Sequence, residues 1–389
     1  MDVKPNVFIA IVLLLAATAC HKDSTQDSDT TVDTAAVAAD TPFCDSLRLY
    51  APGDYGSTHW RIPAILCLDD GTLLAVNDKR KYNHRDLPEA IDIVCRRSTD
   101  RGASWSEPQT IVQGTGYKHG YGDAALVQCA NGDVLCFFVG GNGLWASTEA
   151  DPIRSYVCRS TDRGATWDAP VELTSLLWGS NPLNSDGRWY SASFFASGNA
   201  LRLTRGPHSG RVLVAAAMCR TGEQKLDNYV FYSDDNGHSW HLSDLAYSMG
   251  DEAKLIELAD GRVLISVRRT GARGFNLSAD GGQTWGTRSS WPEMQANACN
   301  GDMLRLDDTT ILHSLPNSME RENVSIFISS DEGASWHTPV LLCKGPSVYS
   351  SLTRLPDGTV LAYVEKGPDT GCELWLYRFN AAWLRAPRP

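Results

Sequence analysis

STDRGASW (98–105), STDRGATW (160–167), SDDNGHSW (233–240), SADGGQTW (278–285) and SSDEGASW (329–336) are five copies of one octapeptide, and their reading decides the fold. Each follows a short β-type run, such as Ile93-Val94-Cys95-Arg96-Arg97 or Val324-Ser325-Ile326-Phe327-Ile328. Each is therefore expected to be a tight turn joining two strands. The residue types suit such a turn, since Asp accepts backbone N–H groups inside it, Gly takes positive φ, Ser or Thr bonds locally, and Trp packs beneath as an apolar anchor. A unit that recurs five times is a folding device, so its Asp residues are not read as catalytic.

The copies start 62, 73, 45 and 51 residues apart. Between them lie further strand signals around Asp70-Gly71, Asn131-Gly132, Asp260-Gly261 and Asp357-Gly358, and no long helical pattern intervenes. Arg211–Ala217 and Arg262–Val267 are continuous apolar runs, as expected of strands covered on both faces. Many short strands at repeating spacing in an all-β chain point to a radial array that avoids long exposed edges. The expectation is a six-bladed β-propeller of four-stranded antiparallel blades over residues 43–389, roughly 58 residues per blade.

The net charge of -11 excludes a nucleic-acid partner, which needs a basic face, and leaves any anion site to a local cluster. The N-terminus carries Lys4 and an apolar run from Val7 to Ala17, too short to span a bilayer, so residues 1–20 are read as an export signal. Thr18-Ala19-Cys20 resembles the end of a bacterial lipoprotein signal, which makes Cys20 the lipid-bearing residue. Ordinary cleavage, giving a secreted protein, is the alternative. Residues 21–42 are polar and acidic with no periodicity and read as a flexible linker. Exported, the protein would face the periplasm or the cell surface, touching membrane only through that anchor. The ten Cys beyond Cys20 lack CxxC spacing and sit among Ile, Val, Leu and Phe, so buried thiols are expected, with no catalytic metal and no cofactor.

The octapeptides resemble the aspartate boxes of the bacterial-type sialidase (neuraminidase) family, and further stretches resemble its other motifs from Arg61 to Trp383. WRIPAIL (60–66) resembles the Arg-Ile-Pro motif, which makes Arg61 the first of three arginines holding the substrate carboxylate. GDEAKLIELADGRVLISVR (250–268) resembles the segment carrying a catalytic Glu and, sixteen residues on, the second arginine: Glu252 and Arg268. LPNSMERENVSIFISSDEGASW (315–336) gives Arg321 as the third, and SVYSSLTRLPDG (347–358) gives Tyr349 as the nucleophile. In DKRKYNHRDLPEAIDIVCRRSTD (78–100) the acid partner falls on Asp86, with Asp78 and Asp92 as local competitors. The same resemblance implies Arg80 on a sugar hydroxyl, Asp123 on the N-acetyl side, and Glu365 steadying Arg61.

Physical chemistry fits these implications. Sialic acid bears a carboxylate on its anomeric carbon, and several guanidinium forks gathered at one point suit it. A carboxylate nucleophile would meet that charge, whereas a Tyr hydroxyl approaches neutral and gives its proton to an adjacent Glu. An Asp then protonates the leaving oxygen. One step along a strand reverses the face, so Arg269 and Arg273 compete with Arg268. GTGYKHG (114–120) lacks the spacing and helix of a dinucleotide site, and GxSxG is absent. The implied activity is hydrolysis of terminal sialic acid from sialylated glycans through a tyrosyl intermediate. Trans-sialidase or intramolecular trans-sialidase chemistry, and a non-catalytic glycan-binding propeller, are the alternatives.

Overall fold

The computed structural model describes residues 41–177, 190–296, 298–337 and 339–387. The expected export signal 1–20, with Cys20 as the expected lipid-bearing residue, and all of the expected linker except its last two residues lie outside these.

The described chain is built from antiparallel sheets, and its one α-helix is the short Ala381–Arg385. The first sheet runs His59–Cys67, Leu73–Arg80, Ile91–Ser98, Gln109–Val112. The second runs Tyr121–Gln128, Val134–Gly141, Ile153–Ser160, Val171–Glu172, with Gly198–Asn199 added in parallel beside its first strand. Tyr190–Phe195, Val212–Arg220, Leu226–Ser233 and His241–Leu242 form the spine of the third. Ala253–Glu257, Val263–Val267, Gly271–Ser278 and Ser289–Ala296 form the fourth. The last sheet has seven strands: Asp302–Arg305, Ile311–Pro316, Glu322–Ser329, Val340–Arg354, Val360–Lys366, Glu373–Phe379, and finally Cys44–Tyr50 from the chain's beginning. Val340–Arg354 is long enough to end one four-stranded run and begin the next.

The second strand of each run is buried along almost its whole length, as in Val212–Arg220 and Val263–Val267, which explains their unbroken apolar sequence. Strands alternate in direction, so octapeptide turns and Asp-Gly turns share one end of each sheet. The longer connections, 81–90, 113–120, 142–152, 243–252, 317–321 and 367–372, share the other.

Each octapeptide joins a third strand to a fourth. At 329–336, Ser329 Oγ donates to Asp331 Oδ1 (2.8 Å) and accepts from Gly333 N (2.9 Å), while Ser335 N and Oγ donate to the two Asp331 oxygens at 2.9 and 2.5 Å. The same lattice surrounds Asp100, Asp162, Asp235 and Asp280. Trp240 and Trp336 are buried and Trp105, Trp167 and Trp285 half-buried, each against a different apolar cluster. The turn glycine faces the preceding sheet. At Gly164 (φ +75), a Cβ would lie 2.8 Å from the Leu74 side chain of the first sheet, so both conformation and clearance require Gly. Gly237, Gly282 and Gly333 stand likewise against Leu135, Leu213 and Leu264, and Gly102 against Leu361 and Leu376 of the last sheet.

All ten described cysteines are free and eight are buried, in line with their apolar sequence setting.

Candidate active site

At the end away from the octapeptides, first strands and long connections bring the predicted residues together. Arg61 lies near the start of His59–Cys67, where the register shifts between Arg61 and Ala64 and Ile62 takes φ 60°. This bulge turns the Ile62 N–H onto Glu365 Oε1 (2.7 Å) beside the Arg61 guanidinium, whose Nε and Nη2 reach the two Glu365 oxygens at 2.6 and 3.0 Å. Glu365 also accepts from Tyr349 N (3.2 Å). One fully buried carboxylate thus fixes Arg61 and the backbone of Tyr349 together.

The sixteen-residue interval between Glu252 and Arg268 is a hairpin closing on itself. Ala253 pairs with Val267, and just beyond that pair Arg268 N donates to Glu252 O (2.8 Å). Arg268 Nη1 then contacts Glu252 Oε2 (2.5 Å) and donates to the Tyr349 hydroxyl (2.7 Å), while its Nε faces Asp251 at 3.2 Å. Tyr349 OH donates to Glu252 Oε2 at 2.7 Å. Arg61 and Arg321 flank the Tyr349 ring, their guanidinium carbons 5.7 and 5.8 Å from its centroid. Arg321 pairs with Asp369 (2.8 Å) and donates to Ala298 O. The competing arginines point elsewhere: Arg269 bonds Tyr247 OH, and buried Arg273 bonds Ser266 Oγ and Cys299 O.

Asp86 comes from the 81–90 connection and meets Arg80 Nη2 at 2.6 Å. Its side chain is 80 % exposed, while Arg80 beneath it is 1 % exposed. Asp78 is buried against the same Arg80 Nη2 (3.1 Å), and Asp92 is taken by Lys81 and the Gly114 N–H; both are buried where Asp86 is exposed. Arg80 is held by Asp78, Asp86 and the His84 carbonyl. Asp123, at φ 60°, donates its N–H to Asp78 Oδ1.

Burial drives the Tyr349 hydroxyl well above its ordinary pKa, with Arg268 pulling it back. It is therefore a neutral phenol that needs a base. Asp123 is likewise pushed up by burial and by Asp78, Asp86 and Glu252. Asp86 goes the other way: although its side chain is exposed, the protein around it takes away some water and raises its pKa, but Arg80, with Arg61 and Arg268, outweighs that and holds it below the usual value. A ligand carboxylate among the arginines would offset part of that field and return Asp86 toward its protonated form. Sequence reading did not find Asp251 and Asp369 as arginine partners or Ser197 beside Glu252; adjacency to Glu252 was the one available signal for Asp251.

Residues 82–362 match the BNR repeat-like domain family. A sialidase of Micromonospora viridifaciens is 32% identical over 367 residues, 88% of this chain and 55% of the relative. A Bacteroides fragilis sialidase is 27% identical over 342 residues, 79% of this chain and 60% of the relative. The chain thus spans a little over half the length of these curated relatives. Among solved structures, the Ruminococcus gnavus intramolecular trans-sialidase bound to oseltamivir carboxylate superposes with TM-score 0.75 at 19% identity, covering 87% of this chain and 98% of that one. The Hadza microbial sialidase Hz136 does so with TM-score 0.76 at 23% identity, covering 87% and 69%. These likenesses establish a sialidase-like, all-β propeller fold.

Proposed function

This chain belongs to the BNR repeat-like domain family, and from that premise we propose that it is a bacterial-type sialidase, an exo-α-sialidase that retains anomeric configuration. The observation that carries the reading is the Tyr349 hydroxyl held at once by Glu252 and Arg268, with Arg61 and Arg321 on either side. A nucleophile, its base and three carboxylate-binding cations converge on one point.

In the proposed reaction, Arg61, Arg268 and Arg321 take the sialic acid carboxylate and set the anomeric carbon over Tyr349. Tyr349 passes its proton to Glu252 as its oxygen bonds that carbon; the glycosidic C–O bond breaks, and Asp86 gives its proton to the departing oxygen. Water then gives a proton to Asp86 while its oxygen displaces Tyr349, which recovers its proton from Glu252. Asp123 faces the N-acetyl side, Arg80 meets a sugar hydroxyl beside Asp86, and Glu365 holds Arg61. The substrates are sialylated glycans.

Residues 43–389 are read as the catalytic domain, with six four-stranded antiparallel blades. The succession of turn glycines, each against the preceding sheet and the first against the last, supports that count. Export with lipid attachment at Cys20 is proposed from the Val7–Cys20 sequence.

Release of 4-methylumbelliferone from its α-sialoside tests the reading. We expect turnover by the wild-type chain and a loss of at least about a thousandfold in Tyr349→Phe at unchanged melting temperature. A folded, inactive wild type would sink it in favour of a glycan-binding propeller. The mass of the released sugar separates hydrolysis from intramolecular transfer, whose anhydro product is lighter by one water.

A further inference from the structure

A buried ammonium lies beneath the proposed base and takes no part in the proposed reaction. Lys254 is two residues beyond Glu252 on the first strand of the fourth sheet and is 1 % exposed. Its Nζ donates to the Ser197 carbonyl. Burial lowers its pKa, and Asp302 and Glu252 offset only part of that. Residue 198 is Gly at φ +103°, and any Cβ there would collide with the ammonium. Backbone and side chain are thus shaped around each other.

Ser197 ties this cation to the site. Its carbonyl accepts from Lys254 and from Asn300 Nδ2 (3.2 Å). Its hydroxyl accepts from Asn300 Nδ2 (3.1 Å) and donates to Glu252 Oε1 (3.4 Å). Since Glu252 Oε2 holds Tyr349 and Arg268, the carboxylate is fixed at both oxygens.

We propose that Ser197 and Lys254 are positioning residues for Glu252: Ser197 holds Oε1 so that Oε2 stays on Tyr349, and Lys254, with Asn300, fixes the Ser197 that does so. The inference rests on the sialidase reading. Arg273 is engaged by Ser266 and Cys299 and leaves the Oε1 side to Ser197. Lys254 is 1 % exposed, so its hold on Ser197 is set by the fold.

A misplaced base slows the chemical step and leaves binding by the arginines intact. For the full chain with the methylumbelliferyl sialoside, we expect kcat to fall about tenfold in Lys254→Met and by less in Ser197→Ala. KM should change little, and Ser197→Thr should recover most of the loss. Circular dichroism and melting identify folded variants; if Lys254→Met does not fold, Ser197→Ala decides. A kcat within about twofold of an active wild type in every folded variant, or a fall in kcat matched by an equal rise in KM, overturns the inference alone. An inactive wild type overturns the sialidase reading and this inference with it.

Discussion

The two ends of the sheet array use the same residue types, Asp, Arg and Ser, for opposite purposes. At the turn end, carboxylates are surrounded by donors a few residues away. Asp162, bonded by the Thr166 side chain and backbone, is held down to about 2. At the other end, Asp78, Asp123 and Asp251 are enclosed by groups brought from distant strands, and burial pushes their carboxyls up. The arginines divide in the same way. A 520 Å³ cavity at the turn end is lined by Arg97, Arg101 and Arg163, but these bind Asp357, Asp70 and the Arg163 carbonyl and leave no cluster turned toward a ligand. Arg61, Arg268 and Arg321 are paired with carboxylates as well, but all three also gather on one side chain, Tyr349. What repeats is satisfied locally and makes the fold; what occurs once is assembled over long range and makes the chemistry.

That contrast is most exposed to Asp86→Asn. Natural sialosides have poor leaving groups, so hydrolysis of sialyllactose should fall about a thousandfold, while the aryl sialoside, which needs less proton assistance, loses about tenfold. Equal losses would remove Asp86 as the acid. Next in size is Glu365→Gln, which leaves the buried Arg61 charge short of its partner: urea unfolding should show a loss of about 3 kcal/mol together with lost activity. A purely catalytic defect would mean that Arg61 finds another counter-ion.

Asp331→Ala should reverse the pattern. Loss of its turn bonds costs about 1–2 kcal/mol in urea unfolding, while kcat of the folded fraction stays at the wild-type value. A matching loss of kcat would show that the two ends are coupled. The smallest expected effect is the pH response. A carboxylate whose folded pKa is depressed contributes stability above its unfolded pKa and loses it as pH falls through the folded value. Comparing melting temperatures from about pH 4 to 2, the wild type should therefore fall more steeply than Asp162→Asn. Raised groups at the active end have the opposite sign and lose stability as pH rises through their folded values.

What the sequence made legible follows the same division. The octapeptide lattice spans eight residues and every bond in it is local, so its geometry was readable from composition. Glu252 and Arg268 were readable as a pair because one short hairpin sets their interval. Glu365 on Arg61 spans 304 positions and Ser197 on Glu252 spans 55, distances over which residue chemistry carries no register. The pairing of Cys44–Tyr50 with Glu373–Phe379 has no octapeptide for a related reason: Cys44–Tyr50 comes from far earlier in the chain, so no turn connects the two. Arg80 was expected to meet sugar because its type and place fit; its enclosure depends on Asp78 and on where a loop puts Asp86.

That unconnected strand also bears on how the protein comes into being. Phe43 N donates to the Asn380 side chain, 337 positions away, and Cys44 pairs with Phe379. Cys44–Tyr50 leaves the ribosome long before its partner Glu373–Phe379 is made. The intervening sheets can condense as they emerge, but the last cannot be finished until that strand follows them. Chains stalled or cleaved before Glu373 would carry two unpaired strand edges, a pattern by which quality-control proteases could tell unfinished molecules from finished ones.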